Sequence, residues 1–380
     1  EGIRKAQQNL APAQVGWGVE SLPGLAQSRR WIARPDRMKV DPFGEPTTRA
    51  TMHPGYRNPD WEEPSGPMNS DVSILAVRRP DGTPIALLGS FSIHYVGAGV
   101  LSADYFGVFA NRIGELLEAP KTDPPFVGIL ANGSSGDAYL KDYSRAEPEK
   151  FDMFSIAEQV AQGAFRAYQA IAWEDWLPLD ARQAELELNI REPKVAWGKQ
   201  VMAKVEAEGR APKDLPEAYA REQLLLAQMP PTRKLKLQAI RIGSLAMVGI
   251  PCEVYAITGM RIAENSPLAH TFTVMLANGW DGYLPPPEQM VLGGYTTWLA
   301  RSSCLEIEAE PKIVACVKQL LDDVAGDTRV MRAPPRIPPY AAAVEASKPA
   351  VYWRLNDLDG PHAVNMMDGK ELGAFETQIA

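Results

Sequence analysis

Asp71-Val-Ser-Ile-Leu-Ala-Val77 and Pro84-Ile-Ala-Leu-Leu-Gly-Ser-Phe-Ser-Ile93 are two apolar runs, and Pro80-Asp-Gly-Thr83 separates them. Runs of this composition joined by an Asp-Gly turn are typical of a β-hairpin. The hairpin is the strongest local signal in the chain. It predicts that the second strand delivers His94 just beyond its carboxyl end.

A helix and another strand follow the hairpin. Residues 103–118 have the apolar spacing of a helix, with Asp104 as its predicted N-cap. Pro125-Phe-Val-Gly-Ile-Leu-Ala131 predicts a short buried strand that ends in the turn Asn132-Gly-Ser-Ser-Gly-Asp137. A strand, a helix, a strand and a Gly-rich turn predict an α/β layer with a site at the strand ends.

The rest of the chain predicts a mixed α/β fold. Residues 28–70 are rich in Arg, Pro, Asp and Gly and predict a long ordered loop. A helix is predicted over 253–265, with Glu253 in its first turn. Further helices are predicted at 1–10, 155–172 and 196–229, and further strands at 15–20, 183–192, 235–242, 243–251 and 271–277.

Composition narrows the class of protein. The chain has 380 residues, of which 45% are hydrophobic, and a net charge of −8, which argues against a nucleic-acid binder. No apolar run approaches the roughly 20 residues that a membrane span needs. Cys252, Cys304 and Cys316 form no CxxC pair, so a thiolate zinc site is not expected.

Both ends of the sequence indicate a piece of a longer protein. Residues 1–6 have the character of a helix interior rather than of a signal peptide. Residues 332–340 are Pro-rich and predict a stiff linker. The stretch that follows resembles the opening strand of a laminin-G/concanavalin-like domain. We therefore expect a main domain over 1–331 and the start of a lectin-like β-domain over 341–380, which by fold analogy hints at glycan binding.

Three polar side chains lie just beyond apolar strands: His94, Glu253 and Tyr283. Imidazole and carboxylate are good zinc ligands, and catalytic zinc keeps one position open. A phenolate is a rarer ligand, because it needs the charge of the metal to lower its pKa. From spacing alone each has a plainer interpretation, namely a structural histidine, a first-turn carboxylate and an aromatic anchor.

Four segments, taken in order, resemble motifs of the neutral/alkaline ceramidase family. Phe91-Ser-Ile-His94 and Ser102-Ala-Asp-Tyr-Phe-Gly107 are similar to its zinc-histidine strand and the segment behind it. Gly249-Ile-Pro-Cys-Glu-Val-Tyr255 is similar to the segment whose glutamate binds zinc. Asn278-Gly-Trp-Asp-Gly-Tyr283 is similar to the segment whose last tyrosine binds zinc, and Gly294-Tyr295 keeps the family's spacing.

The resemblance covers roughly residues 1–325 and implies a catalytic domain with a mixed β-sheet flanked by helices. It implies Zn²⁺ held by His94, Glu253 and Tyr283, and hydrolysis of the C–N bond of a small or lipid-like amide, as in sphingolipid metabolism. It also implies a secreted, periplasmic or cell-surface location. Arg29 and Arg30 are similar to the family's arginine near the site. We take Arg30, with Asp104, as a predicted substrate contact.

Two departures from the family pattern leave alternatives open. The family's other zinc histidine is expected upstream of residue 1, with His53 as a substitute. Tyr139 stands where the family has its nucleophilic serine. Ser134 and Ser135 are adjacent, and their plainer role is to form hydrogen bonds with backbone groups of the turn.

Several mechanisms and roles remain open at this point. Zinc-bound water could attack the carbonyl directly. Tyr139, Asp137 or Tyr295 could orient substrate or donate to an oxyanion, and Ser135 is a further catalytic candidate. The alternative is a non-catalytic binding module of a large secreted or cell-surface protein.

Overall fold

The computed structural model describes residues 1–97, 99, 101–327, 339–354, 358, 362–369 and 371–374. The chain divides into two compact units, Glu1–Thr328 and Arg329–Ala380. Most of the predicted linker, residues 332–338, lies outside the described residues. Among the described helices, none is both long and apolar enough to span a bilayer.

The first unit alternates strands and helices, which confirms the mixed α/β fold class. Its strands are β1 (Gln14–Ser21), β2 (Gln27–Ser28), β3 (Arg30–Ala33), β4 (Ala50–Met52), β5 (Trp61–Pro64), β6 (Asp71–Arg78), β7 (Pro84–Phe91), β8 (Val127–Asn132), β9 (Ala138–Tyr139), β10 (Leu179–Asn189), β11 (Thr232–Ile242), β12 (Leu245–Ile250), β13 (Glu253–Val254), β14 (His270–Met275) and β15 (Tyr283–Leu284). Its helices are α1 (Gly2–Gln8), α2 (Asp104–Leu116), α3 (Met153–Gln169), α4 (Val195–Ala207), α5 (Leu215–Leu226), α6 (Ala256–Glu264), α7 (Pro287–Met290) and α8 (Ala309–Ala325), with a 3-10 turn at Pro35–Arg37.

The first sheet has the order β1-β6-β7-β8. Its centre is the predicted hairpin, because β6 and β7 pair antiparallel across the Asp-Gly turn. β8 is parallel to β7, as the intervening α2 crossover requires. The apolar faces of α2 and α3 cover this sheet, and Leu87, Phe109, Ile113 and Val160 are buried between them. Burial of these side chains stabilises the layer by roughly 1.5–3 kcal/mol each.

The second sheet has the order β10-β11-β12-β14. Three of its strands form an antiparallel meander, and β14 joins β12 in parallel after the α6 crossover. α8 packs on its face, with Leu237, Val248, Ile313 and Val317 in the core. The site residues follow the carboxyl ends of two parallel strand pairs, β7/β8 and β12/β14. This is the usual place for a site in an α/β layer.

The structure corrects three local predictions. Residues 28–70 are not all loop, because β3 pairs with both β4 and β5 in a small sheet. Asp104 is not the N-cap of α2; that residue is Ala103. Glu253 does not lie in a helix, because α6 begins at Ala256 and Glu253 instead pairs with Tyr283 in a parallel strand pair. Each error arises where a tertiary partner outweighs the local pattern.

The second unit contains helix α9 (Pro339–Ala346) and the antiparallel strands β16 (His362–Val364) and β17 (Glu371–Ala374). This helix covers the beginning of the stretch whose sequence resembles the opening strand of a laminin-G/concanavalin-like domain. Its run of alanines explains the difference, since alanine has the highest helix propensity. The lectin-like domain over 341–380 stays a prediction.

Candidate active site

The three predicted metal ligands meet at one place in the first unit. His94 follows β7, while Glu253 and Tyr283 are register partners in the β13/β15 pair. His94 Nε2 lies 3.2 Å from Glu253 Oε2. The cluster therefore joins segments that are up to 189 residues apart in sequence (283 − 94).

Arg29 lies in the middle of this cluster. Its Nη2 is 2.8 Å from His94 Nε2 and donates to Tyr283 Oη at 3.2 Å and to the Gly136 carbonyl at 2.9 Å. Burial lowers the pKa of Arg29, but Tyr295, Tyr283 and Glu253 outweigh burial and raise it above its usual value. A permanent cation therefore stands among the predicted ligands.

His94 is held in one orientation by a short hydrogen-bond chain. Its Nδ1 lies 3.4 Å from Ser135 Oγ, which in turn donates to Asn132 Oδ1 at 2.9 Å. Burial lowers the pKa of His94, with Arg29 acting in the same direction. The ring is therefore neutral. Because Ser135 Oγ donates to Asn132, it accepts from His94, which places the proton of the imidazole on Nδ1. Nε2 is left as an acceptor.

Glu253 and Tyr283 are both removed from water. Burial raises the pKa of Glu253, but its contact with His94 and the hydrogen bonds from Trp280 and Tyr283 outweigh burial, so its pKa lies below the usual value. Trp280 Nε1 donates to Glu253 Oε1 at 3.3 Å. Burial raises the pKa of Tyr283, so the phenol stays protonated. Its hydroxyl is 3.3 Å from that of Tyr295, which joins the cluster as predicted.

This donor set fits a zinc ion. The acceptor Nε2 of His94 faces the ionised carboxylate of Glu253, and the Arg29 guanidinium supplies the positive charge beside them. Zinc ligands at about 2.0–2.1 Å in a tetrahedron are about 3.3 Å apart, close to the 3.2 Å between these two atoms. Among the residues that the structure describes, no group of three or more His, Cys, Asp or Glu side chains converges. The phenol of Tyr283, the register partner of Glu253, is the remaining predicted ligand.

Asp137 and Ser135 support the cluster from behind. Both side chains are buried. Asp137 Oδ1 accepts from the Ala256 amide at the start of α6 at 2.8 Å, and its carbonyl accepts from the Arg29 amide at 3.0 Å. Burial raises the pKa of Asp137 to about 6. Ser135 contacts the far side of the imidazole. These contacts position Arg29, α6 and His94.

Tyr139 and His53 lie beside the cluster rather than in it. The Tyr139 hydroxyl donates to the Val96 carbonyl at 3.2 Å, and burial raises its pKa. His53 hydrogen-bonds to Tyr143, and burial, followed by the Arg29 charge, lowers the pKa of His53 to about 4. Among the described contacts, neither residue hydrogen-bonds to His94, Glu253 or Tyr283.

The two predicted substrate contacts are placed elsewhere. Arg30 is fully buried and donates to the side chain and carbonyl of Gln289 at 3.1 and 3.0 Å, which attaches the loop of α7 to β3. Asp104 accepts from the Val96 and Gly97 amides at 2.9 Å each and holds the loop that follows His94. Arg29, rather than Arg30, faces the cluster.

Comparisons with known proteins were made on this fold. No family model and no curated protein matches the chain. A solved ceramidase complexed with C2 aligns with a TM-score of 0.57 at 15% identity, over 87% of this chain and 56% of that one. The fold is ceramidase-like. The crystal structure of neutral ceramidase from Pseudomonas aeruginosa gives a TM-score of 0.53 at 14% identity with the same coverage, so this chain spans about half the length of both.

Sequence reasoning named Arg29 and Arg30 together but chose Arg30 as the substrate contact, and it missed Asn132 and Trp280 as members of the site. Alternation along a strand means that only one of two adjacent arginines can face the cluster, but the sequence does not say which. Trp280 lies in the segment 278–283, but the family resemblance assigns it no role. A signal did exist for it, since a tryptophan three residues before a predicted ligand is a natural donor to a neighbouring carboxylate.

Proposed function

We propose that this chain is a zinc-dependent hydrolase that cleaves an amide (N-acyl) bond. The observation that carries the proposal is the meeting of His94, Glu253 and Tyr283 around one point, with His94 Nε2 only 3.2 Å from Glu253 Oε2. The ceramidase-like fold supports it. A small or lipid-like amide is the proposed substrate class, by analogy with the solved ceramidase that holds C2.

In this proposal, His94, Glu253 and Tyr283 hold the zinc. When bound, zinc supplies Lewis-acid chemistry, which polarises a carbonyl and acidifies water. Ser135 and Asn132 keep the lone pair of His94 Nε2 directed at the metal. Arg29 donates hydrogen bonds toward the cluster, and the Tyr295 hydroxyl lies 3.3 Å from that of Tyr283. Both groups would stabilise negative charge that develops on a carbonyl oxygen.

Tyr139 does not replace the serine nucleophile in this proposal. Burial raises its pKa, and its hydroxyl proton is directed to the Val96 carbonyl, so it is a poor nucleophile. Attack by water needs no side-chain nucleophile. Tyr139 then packs against the site and limits its width, with its ring centroid 5.7 Å from that of His53.

The test measures zinc content and hydrolysis on the same samples. Purified protein dialysed against zinc should retain one equivalent and release fatty acid from N-acyl amides. Glu253→Gln should lose both, whereas Glu174→Gln, an exposed carboxylate, should lose neither. Wild-type protein that retains no zinc and hydrolyses no amide would contradict the proposal.

A second candidate is a non-catalytic binding module. The position of Tyr139 in place of the serine favours it, because the hydroxyl is engaged away from His94. This reading expects zinc retention without hydrolysis of any N-acyl amide. A location outside the cytoplasm and glycan binding by the second unit are proposals that rest on the resemblance alone.

A further inference from the structure

A cavity of about 550 Å³ lies beside the candidate active site. Its walls come from α5, from the residues before β11 and from the segments on either side of β15. We call it the Arg233 pocket, lined among others by Tyr219, Glu222, Met229, Arg233, Trp280 and Arg301. The mechanism above uses none of these side chains except Trp280.

The Arg233 pocket shares walls with two of the proposed zinc ligands. Trp280 lines the pocket, and its Nε1 donates to Glu253 Oε1 at 3.3 Å. Ser302 also lines it, and its carbonyl accepts from the Tyr283 amide at 2.8 Å. Trp280 is 54% exposed, so its ring presents a surface to a molecule that enters. The pocket and the cluster are therefore neighbours that share Trp280 and the segment at Ser302.

The two arginines of the pocket differ in how they are paired. Arg301 donates from Nε and Nη2 to the carboxylate of Glu222 at 2.9 and 2.7 Å. Those hydrogen bonds lower the pKa of Glu222 in spite of burial. The charges of Arg301 and Glu222 therefore cancel each other inside the pocket.

Arg233 has poor partners for its charge. Its Nε is buried with no hydrogen-bond partner among the described residues. The nearest carboxylate oxygen, on Asp281, is 3.8 Å away, and Nη2 lies 3.8 Å from the sulfur of Met229, a weak acceptor. The side chain keeps 30% of its surface exposed. Arg233 also lines the pocket, so a ligand there can approach the exposed part of this side chain.

We propose that the Arg233 pocket is a substrate subsite that binds a carboxylate, so that N-acyl amino acids are the substrate class of this enzyme. A planar guanidinium matches a carboxylate in a bidentate pair. Tyr219, Met229 and Trp280 supply apolar surface for the part of the substrate that joins the carboxylate to the amide. This inference rests on the proposed hydrolase function, and it goes beyond it by naming the anionic group.

The test compares N-lauroylglycine with its methyl ester, in which a methyl group replaces the negative charge. Binding is measured by quenching of Trp280 and the other tryptophans or by calorimetry. The acid should bind wild-type protein at least tenfold more tightly than the ester. Arg233→Gln should remove that preference, and Arg233→Lys should retain part of it through its charge. Arg79→Gln, at an exposed turn, is the control and should bind like wild type.

Two binding results overturn the inference: equal affinity of acid and ester for wild type, or an acid preference that survives in Arg233→Gln. The proposed function fails separately. If the acid binds through Arg233 but no amide is hydrolysed, the carboxylate-binding role of the pocket is supported and the hydrolase function is contradicted. If neutral and anionic amides are hydrolysed equally well in wild type and Arg233→Gln, the hydrolase function is supported and the proposed subsite is contradicted.

Discussion

At the scale of single residues, the position of Arg29 is the most consequential feature. Its Nη2 donates to the lone pair of His94 Nε2, which is also the lone pair that zinc needs. Zinc and the guanidinium cannot both hold that lone pair. A single positive charge and a doubly charged ion about 4 Å apart repel by about 8 kcal/mol at an effective dielectric constant of 20.

The first prediction follows from this competition. Arg29→Gln should tighten zinc binding by at least tenfold, because it removes a cation and frees the lone pair of His94. The measurement is a competition against a chromophoric chelator at fixed pH. Arg34→Gln, which removes an exposed arginine paired with Asp36, should leave the affinity unchanged. Weaker zinc binding by Arg29→Gln would show that the guanidinium supports the metal instead.

A second prediction at this scale concerns the buried carboxyl of Asp137. Burial raises its pKa to about 6, above the usual 3.8, although Arg29 and Arg30 oppose the shift. Between these pH values the folded state binds more protons than the unfolded state, so Asp137 makes the free energy of unfolding fall as pH rises. Asp137→Asn keeps an acceptor for the Ala256 amide and cannot ionise.

The difference in stability between Asp137→Asn and wild type should therefore shift in favour of the variant from pH 4 to pH 6 and then level off. A shift of about two pKa units corresponds to about 3 kcal/mol at most. Urea unfolding at a series of pH values measures this difference. Parallel stability curves for the two proteins would contradict the assignment.

At the scale of elements, the turn 132–137 and the β13/β15 pair depend on each other. The Gly136 amide donates to the Val254 carbonyl at 2.7 Å. A Cβ on Gly136 would lie 2.6 Å from the Glu253 carbonyl oxygen and 3.0 Å from Val254 backbone atoms. Both partners are backbone and cannot rotate away, so only glycine fits between the turn and the strand that carries Glu253.

Gly136→Ala should therefore displace β13. We expect it to lower the free energy of unfolding by about 1–3 kcal/mol and to weaken zinc binding. Gly279→Ala is a matched control in the same region, because its Cβ would meet only Pro251 at an ordinary 3.6 Å. Equal stability and zinc affinity in the two variants would mean that the contact at Gly136 relaxes without moving Glu253.

At the scale of the whole first unit, the cluster links the two sheets. His94 belongs to the end of the first sheet, whereas Glu253 and Tyr283 follow strands of the second. The sheets also meet where Ser73 Oγ lies 2.8 Å from His270 Nε2. A metal held by ligands from both sheets would bind only the folded state.

Zinc should therefore raise the thermal unfolding midpoint, and chelation should lower it. At a free zinc concentration one hundred times its Kd, the gain is about 2.7 kcal/mol. Differential scanning calorimetry with zinc, with a chelator and with magnesium checks this. Glu253→Gln should show no zinc effect, and magnesium should have little effect on either protein. An unchanged midpoint in wild type would mean that the sheets are not joined through a metal.

Elements whose signals are local could be predicted from the sequence. The hairpin of β6 and β7, the α2 crossover and the α/β class follow from the apolar period and turn chemistry, which need only neighbouring residues. It also supplied His94, Glu253 and Tyr283 as candidates through a resemblance to a family. Only the tertiary structure decided that Arg29 and not Arg30 faces them, that Glu253 lies in a strand and that Asp137 anchors α6. Those facts depend on pairings between segments far apart in the chain, and no local pattern contains the partner.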